Sequence, residues 1–573
     1  MLKLAKKMNK WSIAAAVVFM IIQVLGDLIL PTLTADIIDN GVANGDVDYI
    51  LNVGLKMIFM SLIAIAGAVA NVFVAARESQ GLGKKIRNEV FRKVTHFSND
   101  ELDEVGTASL ITRTTNDVVQ VQMVVLMMLR LMIMAPIMMV GAGFFAFTRE
   151  PQLARAFLIS IPLLAVLIAV IMHFAVPYFK SMQRKTDKLN LVFREGLTGV
   201  RVVRAFRKDK HEQNRFDEAN KDYADTAIKA FTYMAFLMPA MTVVVSITNI
   251  MIIWFGGDLI STGQMEVGNL VTFMTYAMQI LISVMQVAFI FMFIPRGQVS
   301  AARINEVLEL KSTIKDPSAA KSVAEQKEIS FEFDHVSFRY TGAEKSALED
   351  IDFRVEKGET IAIIGGTGSG KSTLANLIPR FYDVESGSIK INGTDIRDFT
   401  QHDLRTLMGY APQKAVLFTG TIRENMQYGK PEATDEEIWH ALEIAQAKDF
   451  VEKMPKGLDA QVEQGGGNFS GGQRQRLSIA RALVSKADIL LFDDSFSALD
   501  FKTDAVLRAA LKKETIESVV IIIAQRISSV VDADLIIVLD EGKMVGKGTH
   551  EQLKETNPTY QEIMESQMRG EDI

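Results

Sequence analysis

Apolar residues gather in six long runs before about residue 300, and in short bursts set between polar stretches after about residue 325. A helix needs roughly 20 apolar residues to cross the hydrocarbon of a bilayer. Six stretches reach that length, near 11–34, 55–76, 123–147, 156–178, 231–256 and 269–294. Pro31, Pro136, Pro177 and Pro239 lie in them or at their ends. Proline is compatible with a membrane helix where neighbours satisfy the carbonyls it frees. The basic start, MLKLAKKMNK, resembles that of a signal peptide, but the apolar run continues through Leu30 without a small-residue cleavage site. It reads as a retained first helix.

Lys and Arg set the expected orientation. They crowd the N-terminus (Lys3, Lys6, Lys7, Lys10), the stretch after span 2 (Arg77 to Arg113) and the stretch after span 4 (Lys180 to Lys229). The segment after span 1, DIIDNGVANGDVDY, is acidic, and the one after span 5 has Asp258 and Glu266 but no Lys or Arg. The N-terminus, both long loops and everything after span 6 are therefore expected in the cytoplasm. Structureless loops of 45–50 residues are uncommon. KKIRNEVFRKVTHF and REGLTGVRVVRAFRKDKHEQNRF carry apolar residues at helical spacing. Membrane helices that run on into the cytoplasm and return are expected. Their turns near Asp100–Gly106 and Leu197–Ala205 are candidates for touching a soluble domain.

Residues 311–328 are polar and read as a connector, after which strands and helices alternate as in a sheet covered by helices. A chain of 573 residues exceeds one ordinary core, in keeping with this division. Cysteine is absent, which excludes disulfides and thiolate metal sites, and the seven histidines show no ligand spacing. The net charge of −6 and the lack of a basic stripe give no reason to expect nucleic acid as a partner.

Three motifs carry chemistry. Residues Gly365, Gly366, Thr367, Gly368, Ser369, Gly370, Lys371 and Ser372 fit the phosphate-binding pattern G-x-x-x-x-G-K-[ST], between a strand (TIAII) and a helix (KSTLANLIPR). Backbone N–H groups of such a loop close around phosphates, Lys371 reaches the β/γ-phosphates, and the Ser372 hydroxyl can hold Mg²⁺. The apolar strand Ile489–Phe492 ends in Asp493 and Asp494, which suits a magnesium-holding acid beside that loop. Ser470, Gly471, Gly472 and Gln473 precede the helical RQRLSIARAL, so free N–H groups and a helix dipole face an anion.

Together these motifs resemble the ABC transporter ATPases, and the resemblance covers the whole chain. Further matches are Gln413 in YAPQ (the Q-loop), Ser497 to Asp500 (the D-loop), GTHEQL at 548–553, and Tyr340, 25 residues before Gly365, at the place of the adenine-stacking aromatic. The resemblance implies an exporter half-transporter. Its transmembrane domain is all-α, exporter-like (type IV) and six-helical, over 1–310, and is fused through a 311–328 linker to an α/β P-loop ABC ATPase domain over 329–573. It implies ATP and Mg²⁺ as cofactors. ATP contacts are expected from Tyr340, the loop 365–372 and Thr373, and Mg²⁺ contacts from Ser372, Gln413 and Asp493. In the family the signature Ser470–Gln473 faces the ATP of a second nucleotide-binding domain.

Two positions depart from the family pattern. Asp494 stands at the place of the catalytic Glu, and Gln525 at the place of the switch His. Asp is one methylene shorter, and an error of about 1 Å can cost on the order of 10²-fold in rate. Gln donates a hydrogen bond but carries no imidazole charge. QVEQGGG before the signature also departs from the usual sequence. The chain thus resembles the weak-site subunit of heterodimeric bacterial multidrug exporters, with a partner whose own acid is Glu. A homodimer working with Asp494 and Gln525, and a mainly nucleotide-sensing regulatory subunit, are the alternatives. Expected cargo is amphipathic drugs or lipids, in keeping with methionine-rich spans such as QMVVLMMLRLMIMAPIMM. Asp27, inside span 1, is expected to face a watery pathway rather than lipid, with Arg130 of span 3 as a candidate counter-charge.

Overall fold

The computed structural model describes Lys3, residues 6–321 and residues 329–571; part of the expected connector, 322–328, lies outside the described residues. The chain divides into two compact units. One is built from the chain up to Thr95 and from Thr107 to Leu310, the other from His96–Gly106 and from Lys311 onward.

Among the described residues, the first unit has six helices long and apolar enough to span a membrane: Lys10–Val42, Val47–Val94, Thr107–Arg149, Pro151–Thr198, Asp209–Ser261 and one beginning at Val267. Two of them have 48 residues, which at 1.5 Å per residue is about 72 Å, over twice the hydrocarbon thickness. The stretches expected as long loops are therefore helix continuations. The acidic segment after span 1 is shorter as a loop than its composition suggests, because a π-helical turn carries span 1 on to Val42. Its acids work as caps: Asp46 accepts from Tyr49 N–H at the start of span 2 (2.9 Å), and Asp39 accepts from Gly268 N–H at the start of span 6 (2.6 Å).

Span 1 runs on through Pro31, which cannot donate a backbone hydrogen bond. Span 6 compensates. Tyr276 OH donates to the Leu28 carbonyl (2.7 Å) and Thr272 Oγ1 to the Pro31 carbonyl (2.6 Å). Spans 1 and 2 meet through small residues, as membrane helices do where backbones approach closely. A Cβ on Gly26 would lie 2.6 Å from Ala64 Cβ.

Asp27 is half-buried and hydrogen-bonds Gln23 one turn earlier. The expected Asp27–Arg130 pairing is not formed. Leu28 packs against Gly141 of span 3, which puts Asp27 about 16 Å along the helices from the level of Arg130, and Arg130 sits on a π-helical turn, Met128–Met132.

The second unit is a ten-stranded sheet, ordered β5-β4-β1-β2-β12-β11-β3-β10-β9-β6, plus a two-stranded ribbon of β7 (Gly420–Thr421) and β8 (Gln461–Val462). The strands are β1 Ser330–Phe338, β2 Leu348–Glu356, β3 Thr360–Gly365, β4 Ser386–Ile391, β5 Thr394–Asp395, β6 Met408–Ala411, β9 Ile489–Asp493, β10 Val519–Ala524, β11 Leu535–Asp540 and β12 Lys543–Gly548. Strands β11, β3, β10, β9 and β6 run parallel. Parallel strands covered on both faces read as unbroken apolar runs, and β10 (VVIIIA) is buried at every position. Alternate residues of β3 feed two cores: Ala362 and Ile364 join one, Ile361 and Ile363 the other.

The turn His96–Gly106 belongs to this second unit. Its helix, Asn99–Val105, is closed by a capping box of Ser98 and Glu101. Glu101 is 2% exposed. It accepts from Ser98 N–H (2.7 Å) and from Thr313 N–H (2.8 Å), and Asp103 accepts from Tyr382 OH (3.0 Å). Burial alone would raise the Glu101 pKa, but these hydrogen bonds outweigh it and hold the carboxyl below its ordinary value. The other turn ends in the helix Val200–Ala205 of the first unit, where Leu197, Val202 and Phe206 are exposed.

Candidate nucleotide site

The carboxyl ends of β3, β10 and β9 lie side by side, and each delivers one part of the site. From β3 comes the glycine-rich loop. Gly368 (φ 83°) and Gly370 (φ 100°) adopt left-handed backbone that side chains rarely tolerate, which lets the loop curl before the helix Lys371–Leu377. Lys371 is 8% exposed, and its ammonium lies inside the curl, donating to the carbonyls of Gly365 (2.7 Å) and Gly366 (2.6 Å). Burial lowers its pKa, partly countered by Asp494 and Asp493. A glycine-rich loop curled around a buried cation has the make-up of a phosphate cradle.

The cleft around the loop has a volume of about 1080 Å³. Tyr340, Thr367, Gly368, Ser369, Gly370, Lys371, Ser372, Thr373, Gln413 and Gln525 line it, together with Arg339, Glu541 and Lys543. Tyr340 is partly buried. Its hydroxyl pairs with Thr373 Oγ1 (3.0 Å), and its ring meets Phe338 and Tyr382 edge-on.

β9 ends in Asp493, which is 6% exposed. Burial, and then the neighbouring Asp494, push its pKa up to about 6, against hydrogen bonds from Tyr410 and the Gln413 N–H. Asp494 follows in left-handed backbone (φ 45°), and its Oδ2 accepts from both Gln413 Nε2 (3.2 Å) and Gln525 Nε2 (3.0 Å). Burial raises the pKa of Asp494 also. Gln525 follows β10 directly.

The donor set fits Mg²⁺. Two adjacent, partly desolvated acids disfavour their own ionisation, which a hard dication would relieve. The Ser372 hydroxyl is exposed to the cleft, and Gln413, while donating through its Nε2, keeps its amide oxygen available. Ser372, Gln413 and Asp493 would hold the ion, which would supply positive charge against the phosphates.

The signature stands apart from this cleft; none of Ser470 to Gln473 is among its lining residues. Ser470 Oγ accepts from Gln473 N–H and Gln473 Oε1 accepts from Ser470 N–H (2.9 Å), so the two cap the helix Gly471–Val484 reciprocally. A Cβ on Gly472 would lie 3.2 Å from the Ala498 carbonyl, which brings the helix start against the D-loop. Asp500 caps the next helix, Phe501–Glu514, accepting from Thr503 N–H (3.0 Å). Three participants were not singled out from sequence: Tyr410 on Asp493, Tyr382 beside Tyr340, and Arg526, whose guanidinium lies 5.6 Å from the Phe501 ring centroid. The tyrosine of YAPQ was the one visible signal, one strand away from the acid it supports.

Two family descriptions match the chain, "ABC transporter transmembrane region" over residues 13–285 and "ABC transporter" over residues 348–497. An uncharacterized ABC transporter ATP-binding protein of Mycobacterium tuberculosis is 39% identical over 558 residues, 97% of this chain and 96% of that one. An ATP-dependent lipid A-core flippase of Desulfotalea psychrophila is 34% identical over 513 residues, 88% of each. Among solved structures, a bacterial Atm1-family ABC exporter with ATP bound superposes with a TM-score of 0.80 at 26% identity, covering 97% of this chain and 98% of that one. The chain belongs to the ABC transporter family, as an exporter half-transporter in which a six-helix membrane region is fused to an ABC ATPase domain.

Proposed function

We propose that this chain is the weak-site half of an ATP-driven exporter of amphipathic lipids or drugs. It pairs with a second half-transporter whose Walker-B acid is followed by Glu. Its own cleft binds ATP and Mg²⁺, with Tyr340 on the adenine, Gly365–Thr373 on the phosphates and Asp493 at the metal, but hydrolyses slowly. Its Ser470–Gln473 completes the partner's site. The ATPase domain lies in the cytoplasm of a bacterial cell, as the Lys/Arg-rich inner stretches direct.

The observation that carries this reading is the double engagement of Asp494. A general base needs a free lone pair aimed at the attacking water, and it works best when basic. Here a carboxylate one methylene shorter than Glu already accepts two amide hydrogen bonds on one oxygen. Burial keeps the group basic, but the two bonds hold its Oδ2 toward Gln413 and Gln525 and away from a water at the phosphate. The intact cap of the signature helix supports an undamaged contribution to the other site. A lipid-like cargo is supported by the flippase relative.

The test is ATP turnover of the assembled complex in lipid nanodiscs. Lys371→Ala should reduce turnover partly, and Ser470→Arg should remove most of it. The chain alone should show little drug- or lipid-stimulated turnover. Equal and complete loss from both substitutions, or vigorous turnover by the isolated chain, would overturn the weak-site assignment.

A further inference from the structure

The last helix, Pro558–Glu571, presents one face to the ATPase domain. Tyr560, Ile563, Met564 and Gln567 fall at i, i+3, i+4 and i+7, a single helical stripe. The first three root it. Tyr560 is fully buried and its hydroxyl bonds His550 Nδ1 (2.7 Å), while Ile563 and Met564 pack on the core beneath the sheet. Asn557 locks the entry, donating to the Val545 carbonyl (2.8 Å) and accepting from Tyr560 N–H (2.8 Å).

The fourth position of the stripe is polar. Gln567 Nε2 donates to the Gln525 carbonyl (2.8 Å), and Gln567 Oε1 accepts from Ile527 N–H (2.9 Å). One amide thus closes on both sides of Arg526, as a neighbouring strand would. The held segment carries Gln525, whose side chain donates to Asp494, and Arg526, whose guanidinium stacks on Phe501 beside Asp500. A rigid two-turn lever, about 10 Å from Tyr560 to Gln567, therefore ends on the backbone of the switch.

We infer that Gln567 is a positioning residue: it fixes the backbone of Gln525, so the last helix sets the geometry of the chain's own ATP site. This deepens the proposed function and rests on its reading of Gln525 as the switch. Released from Gln567, the Gln525 carbonyl and the Ile527 N–H lose this partner, while Ile527 stays in the core and the Arg526 carbonyl keeps its bond from Ser529 N–H. Gln525 then shifts relative to Asp494, and a displacement of about 1 Å is enough to matter for rate.

The experiment uses the full chain in nanodiscs, with Asp494→Glu and Gln525→His introduced to raise turnover at its own site. Adding Gln567→Ala should lower kcat about tenfold or more while KM for ATP stays within about twofold. Gln567→Glu, which keeps the acceptor for Ile527 N–H and loses the donor, should fall between. In the unaltered chain, amide exchange at Ile527 should speed up about tenfold in Gln567→Ala, the worth of one hydrogen bond, with residues 560–564 unchanged. Unchanged exchange at Ile527 overturns the clamp. Faster exchange along the whole helix, or an unchanged kcat with Ile527 released, overturns the positioning role. If Asp494→Glu with Gln525→His fails to raise turnover, the weak-site reading fails, and Ile527 exchange alone then decides the clamp.

Discussion

Replacing Asp493 with Asn should stabilise the nucleotide-free chain at neutral pH while removing its hold on Mg²⁺. Burial and the adjacent Asp494 raise Asp493 from 3.8 to about 6. Two units at 1.36 kcal/mol each put the cost of charging it in the folded state at about 3 kcal/mol. The sign follows from linkage. The folded pKa lies above the unfolded one, so above pH 6 the carboxylate is charged in both states and the full penalty applies. Below pH 6 the folded state takes up the proton first, and the penalty fades until about pH 4. Asn keeps an acceptor for Tyr410 and for the Gln413 N–H and carries no charge. Thermal unfolding without nucleotide or divalent ions should therefore show the variant melting above the wild type at pH 7.5. That gap should narrow through pH 6 and close near pH 4. In a parallel Mg²⁺ titration with nucleotide present, wild-type affinity should weaken about tenfold per unit below pH 6. Subtracting the variant's profile removes the nucleotide's own titration. A variant less stable at pH 7.5, or a gap independent of pH, would refute the reasoning.

Two further expectations concern the inner turn and the membrane. Reversing charge at Glu101 together with Asp103 strips the acceptors of Thr313 and Tyr382, so transport should fall several-fold more than ATP binding in paired vesicle-uptake and nucleotide-binding assays; unchanged transport would make the turn a passive loop. Asp27→Asn should lower export of cationic amphiphiles with ATP binding intact, since an ionisable group costs roughly 3 kcal/mol in a span and is kept for use; normal export of every cationic substrate tested would leave Asp27 a structural residue.

What could be read from sequence was local. The glycine-rich loop, Asp493 and the signature each occupy a few consecutive residues whose types dictate backbone shape, and the spans announce themselves through length and apolarity. Contacts distant in sequence were invisible. Asp39 looked like a loop acid because its partner, Gly268 N–H, is a backbone group 229 residues away with no sequence signal. Tyr410 and Asp493 lie on paired strands, β6 and β9, and only the sheet order brings them together. Asp27 and Arg130 suggested a pair by charge, but Arg130 lies nearer the inner end of its span, and the helix register keeps the two apart. Gln567 reads as one more polar residue of an amphipathic helix until the segment beneath it is known.

The turn His96–Gly106 also constrains how the protein is made. Asp103 must wait for Tyr382, 279 residues further along the chain. At 5–20 residues per second the ribosome needs roughly 15–55 s to supply it. For that interval the second and third spans are threaded while the turn that joins them has no strand or tyrosine to settle on. Substitutions that make this turn stickier, such as apolar residues at Asp100 or Asp103, would then act during synthesis, by recruiting chaperones or proteases to the nascent chain, before any finished molecule exists to be assayed.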